Sequence, residues 1–206
     1  MAGETFAFNI LGETLENNIN PKKTLWLKSQ FKKEDIANRL RENPFIASEG
    51  KHSDINRNSN LKGKLLIGDI NILLDLLNKT PQLVNKIKKD DIDLISVGPP
   101  CQSFSLAGLR ERDNHKNTLP LSFAQIAGLI KPKTVLLENV KGITSPFTEK
   151  KNKYYAWLEV SKAFVLEGFV PVCMLLNSKY FGVPQNRPRF ILIAYTPFND
   201  INIFVL

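Results

Sequence analysis

From residue 61 onward, short apolar runs alternate with helix-patterned segments, and this alternation limits the possible folds more than any other feature of the chain. The runs "KLLIG" (64–68), "DLISV" (93–97) and "TVLLE" (134–138) are separated by "INILLDLLNK" (70–79) and "LSFAQIAGLI" (121–130). The helical "YYAWLEVSKAFVLEG" (154–168) follows, then "VPVCMLL" (170–176) and "RFILIAY" (189–195). Strand-length runs that are apolar on both faces and spaced by helices predict an α/β domain whose sheet is mostly parallel, with helical crossovers. The last connection, "NSKYFGVPQNRP" (177–188), is too short for a helical crossover and rich in turn residues, so the final strand is predicted to run antiparallel to its neighbour.

Before residue 61 the text changes. Asn- and Lys-rich stretches such as "ENNINPKK" and "SDINRNSN" surround one amphipathic segment, "LWLKSQFKKEDIANRLRE" (25–42), which reads as a helix. Residues 1–60 are therefore expected to be a weakly structured N-terminal region of unknown role, and residues 61–206 the principal domain. With 206 residues, 43% of them hydrophobic, the chain can bury one sizeable core.

Composition excludes several classes. Cys101 and Cys173 stand far apart with no CxxC pair, and His52 and His115 are isolated, so neither a disulfide framework nor a metal site is predicted. No leader pattern follows Met1, and the longest apolar runs, such as "FILIAY", are too short to cross a bilayer. A cytoplasmic protein with reduced thiols and no membrane partner is expected. The formal net charge of +8 tilts the expected partner toward a polyanion such as nucleic acid.

In an open α/β sheet, ligands bind beyond the carboxyl ends of the parallel strands, so the residues after each apolar run are the candidates for chemistry. These are Gly68-Asp69, Gly98-Pro99-Pro100-Cys101-Gln102 and Glu138-Asn139-Val140. Proline has no N–H for the ladder and holds the residue before it extended, so the double proline ends its strand and presents Cys101 at the rim. An antiparallel final strand brings Gln185, Arg187 and Arg189 back to the same rim. A thiol is an effective nucleophile once deprotonated, and nearby arginines favour the thiolate. A carboxyl such as Glu138 can engage a ring nitrogen, and an arginine can hold a carbonyl oxygen or a phosphate. An electron-poor pyrimidine attacked by sulfur fits all three roles. Taken singly, each element has a plainer reading: Cys101 as a small buried hydrophobe, which is the reading adopted for Cys173, Gly68-Asp69 as a turn with a helix cap, Glu138 as a lysine's partner, and Arg187 and Arg189 as a solvated hairpin tip.

At these residues the sequence resembles the cytosine-5 DNA methyltransferases. "GPPCQSFSLAGLR" (98–110) is similar to the nucleophile segment, motif IV; "LLENVKG" (136–142) to motif VI; and "NSKYFGVPQNRPRFILIA" (177–194) to motif VIII with its Gln-x-Arg-x-Arg. The resemblance covers residues 61–195. It implies a partial S-adenosylmethionine-dependent, Rossmann-like methyltransferase domain that acts on cytosine in double-stranded DNA, as in restriction-modification systems. Cys101 would attack C6 of a flipped-out cytosine, Glu138 would engage N3 and the exocyclic amine, and Arg189 would bind O2 with Arg187 nearby. Gln102, Ser105 and Arg110 would lie in a loop that closes on DNA, and Gln185 would contact DNA beside the arginines. Asp69, in "IGDI", resembles the motif III residue near the cofactor's adenine, while Pro99 and Leu119 match cofactor-contacting positions of motifs IV and V.

The family pattern opens with a glycine-rich Phe-x-Gly-x-Gly turn and an acidic residue for the cofactor's ribose. Residues 1–60 hold neither, and "FNILGET" (8–14) is the nearest approach. A target-recognition domain and the last two motifs are also not found beyond residue 195. The resemblance thus implies a catalytic half, with a second polypeptide supplying the rest, and weak binding of S-adenosylmethionine by this chain alone. The alternatives are a non-catalytic nucleic-acid-binding remnant, a related RNA methyltransferase and an unrelated thiol hydrolase. The hydrolase lacks a histidine placed to serve Cys101.

Overall fold

A computed structural model describes residues 2–17, 21–100, 119–149 and 152–197 of the chain. It divides into two compact units, Met1–Asp90 and Asp91–Leu206. The compositional change near residue 60 thus falls inside the first unit.

In the first unit, helix α1 (Ala2–Phe6) runs into a π-helical turn (Ala7–Leu11) that Gly12 ends at φ 67°. Strand β1 (Thr24–Trp26) follows, then helices α2 (Ile36–Arg41) and α3 (Pro44–Ser48), strand β2 (Leu65–Ile67), and helices α4 (Ile70–Lys79) and α5 (Pro81–Lys88). The two strands pair in parallel, Thr24 opposite Leu65 and Trp26 opposite Ile67. The N-terminal region is therefore ordered around a core of its own, with Leu15, Trp26, Leu27, Ile36 and Ile55 buried together with Leu77 and Leu83.

The helix expected over residues 25–42 is confined to Ile36–Arg41. Thr24 and Trp26 are buried on alternate positions, so "TLW" satisfies a strand period, while the Asp35 side chain caps α2 by accepting from the Asn38 N–H at 3.4 Å. Arg39 on α2 is buried and pairs with Asp54 at 2.8 Å, their side chains only 1% and 5% exposed. Asp54 also accepts from the Trp26 N–H at 3.0 Å, Arg39 Nε donates to the Phe31 carbonyl, and the guanidinium lies 5.2 Å from the centre of the Trp26 ring. A buried pair persists only when its remaining polar valences are met in this way.

In the second unit, β3 (Leu94–Val97), α6 (Leu119–Ile130) and β4 (Thr134–Val140) are followed by a 3-10 turn (Lys141–Thr144). A small hairpin of β5 (Phe147–Glu149) and β6 (Asn152–Tyr154), then α7 (Ala156–Leu166), lead to the long hairpin of β7 (Val170–Asn177) and β8 (Pro188–Tyr195). The sheet order is β3-β4-β8-β7. Strand β3 is parallel to β4, and β8 is antiparallel to both β4 and β7, so β7 runs parallel to β3 and β4. This is the mostly parallel sheet with one antiparallel strand that the sequence predicts. The last strand among the described residues lies inside the sheet and not at its edge.

One face of this sheet is covered over β4 and β8, while Leu175 on β7, which shares that face, is 48% exposed. Val135, Leu137, Asn139, Phe190, Leu192 and Ala194 are no more than 2% exposed. Ser161 on α7 lies 3.2 Å from the sulfur of Cys173, which sits opposite Leu192, so α7 packs on this face. Helix α6 packs beside it through an edge-to-face contact of Phe123 with Phe164, which in turn meets Phe169 edge-on. The opposite face is more open: Leu94 on β3 is 52% exposed and Val172 on β7 46%. No helix among the described residues is long and apolar enough to cross a membrane.

Phe164 is fully buried at the junction of α6, α7 and the sheet. Phe164→Ala is expected to destabilise the protein by about 3–5 kcal/mol, because the lost ring leaves a cavity that two aromatic neighbours cannot fill. Urea unfolding followed by circular dichroism measures this.

Candidate active site

The register of β4 and β8 builds the site. Val140 lies opposite Arg189 and Glu138 opposite Ile191, so Glu138 and Arg189 share a face as a diagonal cross-strand pair within reach of a long side chain. Both lie on the less buried face, because Asn139 and Phe190 take the covered positions between them. Arg189 Nε donates to Glu138 Oε1 at 2.7 Å, and its Nη1 donates to the Pro188 carbonyl at 2.9 Å. The side chains are 46% and 23% exposed for Glu138 and Arg189 respectively. A pair this open contributes little stability, so its consequence is positional: the guanidinium fixes the direction of the carboxylate.

The other carboxylate oxygen faces the end of β3. A Cβ built on Gly98 would lie 3.6 Å from Glu138 Oε2. The structure thus brings together three of the expected elements, the Gly98-Pro99-Pro100 strand exit, Glu138 and Arg189. Cys101, Gln102, Ser105 and Arg110 lie outside the described residues, as does His115. Leu119 is the first residue of α6 and is half-buried.

Gln185 and Arg187 occupy the exposed turn between β7 and β8. The backbone of that turn is well tied, since the Asn177 side chain accepts from the N–H groups of Lys179 (3.3 Å) and Arg187 (3.1 Å), and Ser178 Oγ donates to the Gln185 carbonyl (3.0 Å). Cys173 is half-buried on β7 with Ser161 as its neighbour, on the face opposite to that of Glu138.

Asp69 belongs to the first unit. It caps α4 by accepting from the Asn71 N–H at 2.7 Å, and it lines a cavity of about 200 Å³ with Gly68, Trp26, Lys28, Arg39 and Glu42. Trp26 buries its indole N–H with no hydrogen-bond partner. Sequence reading missed Trp26 as a candidate because "LWL" reads as the start of an amphipathic helix. Asn139, already among the candidates after the "TVLL" run, takes a position that sequence reading did not foresee. It is 1% exposed, its Oδ1 accepts from the Val140 N–H at 2.8 Å, and its amide nitrogen has no partner, which is costly unless a ligand or closing segment meets it. Its position inside "ENV", next to Glu138, was the available signal. Among the described residues no cluster of His, Cys, Asp or Glu could hold a metal.

Gly68 shapes the cavity. Its φ is 155°, and a Cβ there would come within 2.7 Å of the Leu27 side chain. Gly68→Ala is expected to cost about 1–3 kcal/mol by overpacking and to disturb the cavity around Trp26. Chemical denaturation together with tryptophan fluorescence checks both effects.

A family model described as C-5 cytosine-specific DNA methylase matches residues 43–204. The chain is 39% identical over 121 residues to the type II methyltransferase M.HindV of Haemophilus influenzae, covering 59% of this chain and 37% of that protein. It is 35% identical over 117 residues to the type II methyltransferase M.DdeI of Desulfomicrobium norvegicum, covering 57% of this chain and 28% of that one. It therefore spans roughly a third of the length of these relatives. Among solved structures, Schizosaccharomyces pombe Dnmt2 methyltransferase superposes with a TM-score of 0.43 at 21% identity over 68% of this chain and 37% of that one, too loosely to add to the family match. That match covers most of the sequence and includes all the motif segments around Glu138 and Arg189, so the chain belongs to the C-5 cytosine-specific DNA methylase family.

Proposed function

We propose that this chain is the catalytic half of a cytosine-5 DNA methyltransferase, acting on double-stranded DNA in the cytoplasm as part of a restriction-modification system. The observation that carries this reading is the Glu138–Arg189 pair at 2.7 Å, with the free carboxylate oxygen facing the strand exit three residues before Cys101. A cytosine seated there would meet Arg189 at O2 and Glu138 at N3 and the exocyclic amine, with Arg187 nearby. Sulfur must approach C6 from above the ring plane, which a stacked duplex blocks, so the base is flipped out. As the Cys101 thiolate bonds to C6, Glu138 passes a proton to N3, taken back when the ring rearomatises, and C5 becomes nucleophilic in between. S-adenosylmethionine, when bound, supplies the methyl group that C5 takes. Loss of the C5 proton and cleavage of the S–C6 bond then restore the aromatic ring and the thiolate. Gln102, Ser105, Arg110 and Gln185 are assigned to DNA contact.

The cavity in the first unit suits the adenosine end of that cofactor. Asp69 and Lys28 line it, and the unpartnered Trp26 N–H lies buried at its wall. Pro99 and Leu119 are assigned to the cofactor by their motif positions. The proposal includes a second polypeptide that covers the open face of the second unit's sheet. What supports it is the second unit's sheet, where β3 is an edge strand with Leu94 52% exposed, and Val172 and Leu176 on the same open face are 46% and 37% exposed. Parallel strands are ordinarily covered on both faces.

The test is covalent trapping. The chain, co-expressed with the products of neighbouring reading frames, is mixed with S-adenosylmethionine and duplex DNA containing 5-fluorocytosine. Fluorine at C5 leaves no proton to lose, so an adduct through Cys101 is expected, absent in Cys101→Ser and reduced at least about a hundredfold in rate in Glu138→Gln. If no neighbouring product yields an adduct while another C5 methyltransferase is trapped in parallel, the non-catalytic nucleic-acid-binding remnant becomes the better reading.

A further inference from the structure

The β7–β8 turn holds a group of exposed side chains that the site chemistry does not use. Tyr180 is 76% exposed, Phe181 67% and Val183 44%. Adjacent large aromatics are seldom left in water unless a partner meets them. The turn that carries them is stiff. Ser178–Phe181 form a 3-10 turn, Gly182 closes it in the left-handed region at φ 76°, and Asn177 Nδ2 donates to Asn186 Oδ1 at 2.8 Å across its base. The Val183 N–H reaches the Ser178 carbonyl at 3.4 Å, and the Gln185 N–H reaches the Val183 carbonyl at 2.7 Å. The two rings are therefore presented by a preorganised backbone.

Charge selects the partner. Residues 168–197 contain Lys179, Arg187 and Arg189 and no aspartate or glutamate. Lys179 Nζ lies 4.9 Å from the centre of the Tyr180 ring, so a cation and an aromatic face are offered together. An exposed platform of rings interleaved with cations and free of carboxylates matches the chemistry of unstacked nucleotides, whose bases stack on rings and whose phosphates take the cations.

We propose that Tyr180 and Phe181 form a stacking surface for the DNA bases left exposed beside the extruded nucleotide, with Lys179 on a flanking phosphate. This inference rests on the DNA reading above and gives the β7–β8 turn its own role: it holds the opened duplex while the Glu138–Arg189 rim holds the flipped base.

The test compares binding of the full chain to two fluorescein-labelled duplexes, one continuous and one with an abasic gap that leaves flanking bases unstacked. The double variant Tyr180→Ala/Phe181→Ala is expected to lose about tenfold or more in affinity for the gapped duplex and to stay within about twofold on the continuous one. Lys179→Gln is expected to weaken both DNAs alike and to lower the slope of log K against log salt by about one. Both rings are exposed, so an unchanged melting curve for the double variant shows that the fold is intact. Equal or no loss on the two DNAs overturns the stacking surface while leaving the DNA reading in place. The same holds if the double variant only converts a self-associated chain to monomer by sedimentation, which would make the turn a protein contact. Failure of the unsubstituted chain, alone and together with the co-expressed neighbouring products, to bind either duplex overturns the DNA reading, and this inference with it.

Discussion

The antiparallel pairing of β4 with β8 is the interaction on which the rest of the second unit depends. It places the last strand between β4 and β7, so Phe190, Leu192 and Ala194 fill the centre of the covered face beneath α6 and α7. The same ladder brings the beginning of β8 alongside the end of β4. That reversal is what allows a guanidinium from residue 189 to meet a carboxylate from residue 138 at the rim where β3 also ends. A parallel β8 would leave Arg189 at the far edge of the sheet.

The first unit is organised around a different constraint. Arg39 is a buried cation, and everything nearby is arranged to satisfy it: Asp54 at 2.8 Å, the Phe31 carbonyl and the face of Trp26. Asp54 at the same time fixes the backbone of β1 through the Trp26 N–H. This cluster stands behind the cavity that Asp69 and Trp26 line, so the segment read as one long helix becomes an ordered wall of that cavity. The energetic logic is that removing one member strands a buried charge, whereas the complete set is tolerated.

One face of the second unit's sheet is open. Leu94, Val172 and Leu176 on that face are 52%, 46% and 37% exposed. Apolar side chains on a sheet face contribute most when removed from water, so this face and the β3 edge favour association with further elements. The Glu138–Arg189 pair lies on the same face as these residues.

The sequence by itself determined the class of the fold and the identity of the chemical groups. Period and punctuation sufficed for α4, whose bounds at 70–79 coincide with the apolar pattern and whose Asp69 cap stands immediately before it. They sufficed for the β7–β8 hairpin, because no helix fits between Asn177 and Pro188. They failed over residues 25–42, where consecutive apolar residues satisfy strand and helix periods equally and only pairing with β2 chose the strand at Thr24–Trp26. Composition likewise gave no hint that Arg39 and Asp54 would meet. Tertiary structure alone decided the strand order, which inserts β8 between β4 and β7, and the register that sets Val140 opposite Arg189. The physical reason is that a motif specifies which atoms can react, whereas the distance between two side chains remote in sequence is set by ladder register and face, and both are fixed only when the whole sheet buries its apolar side.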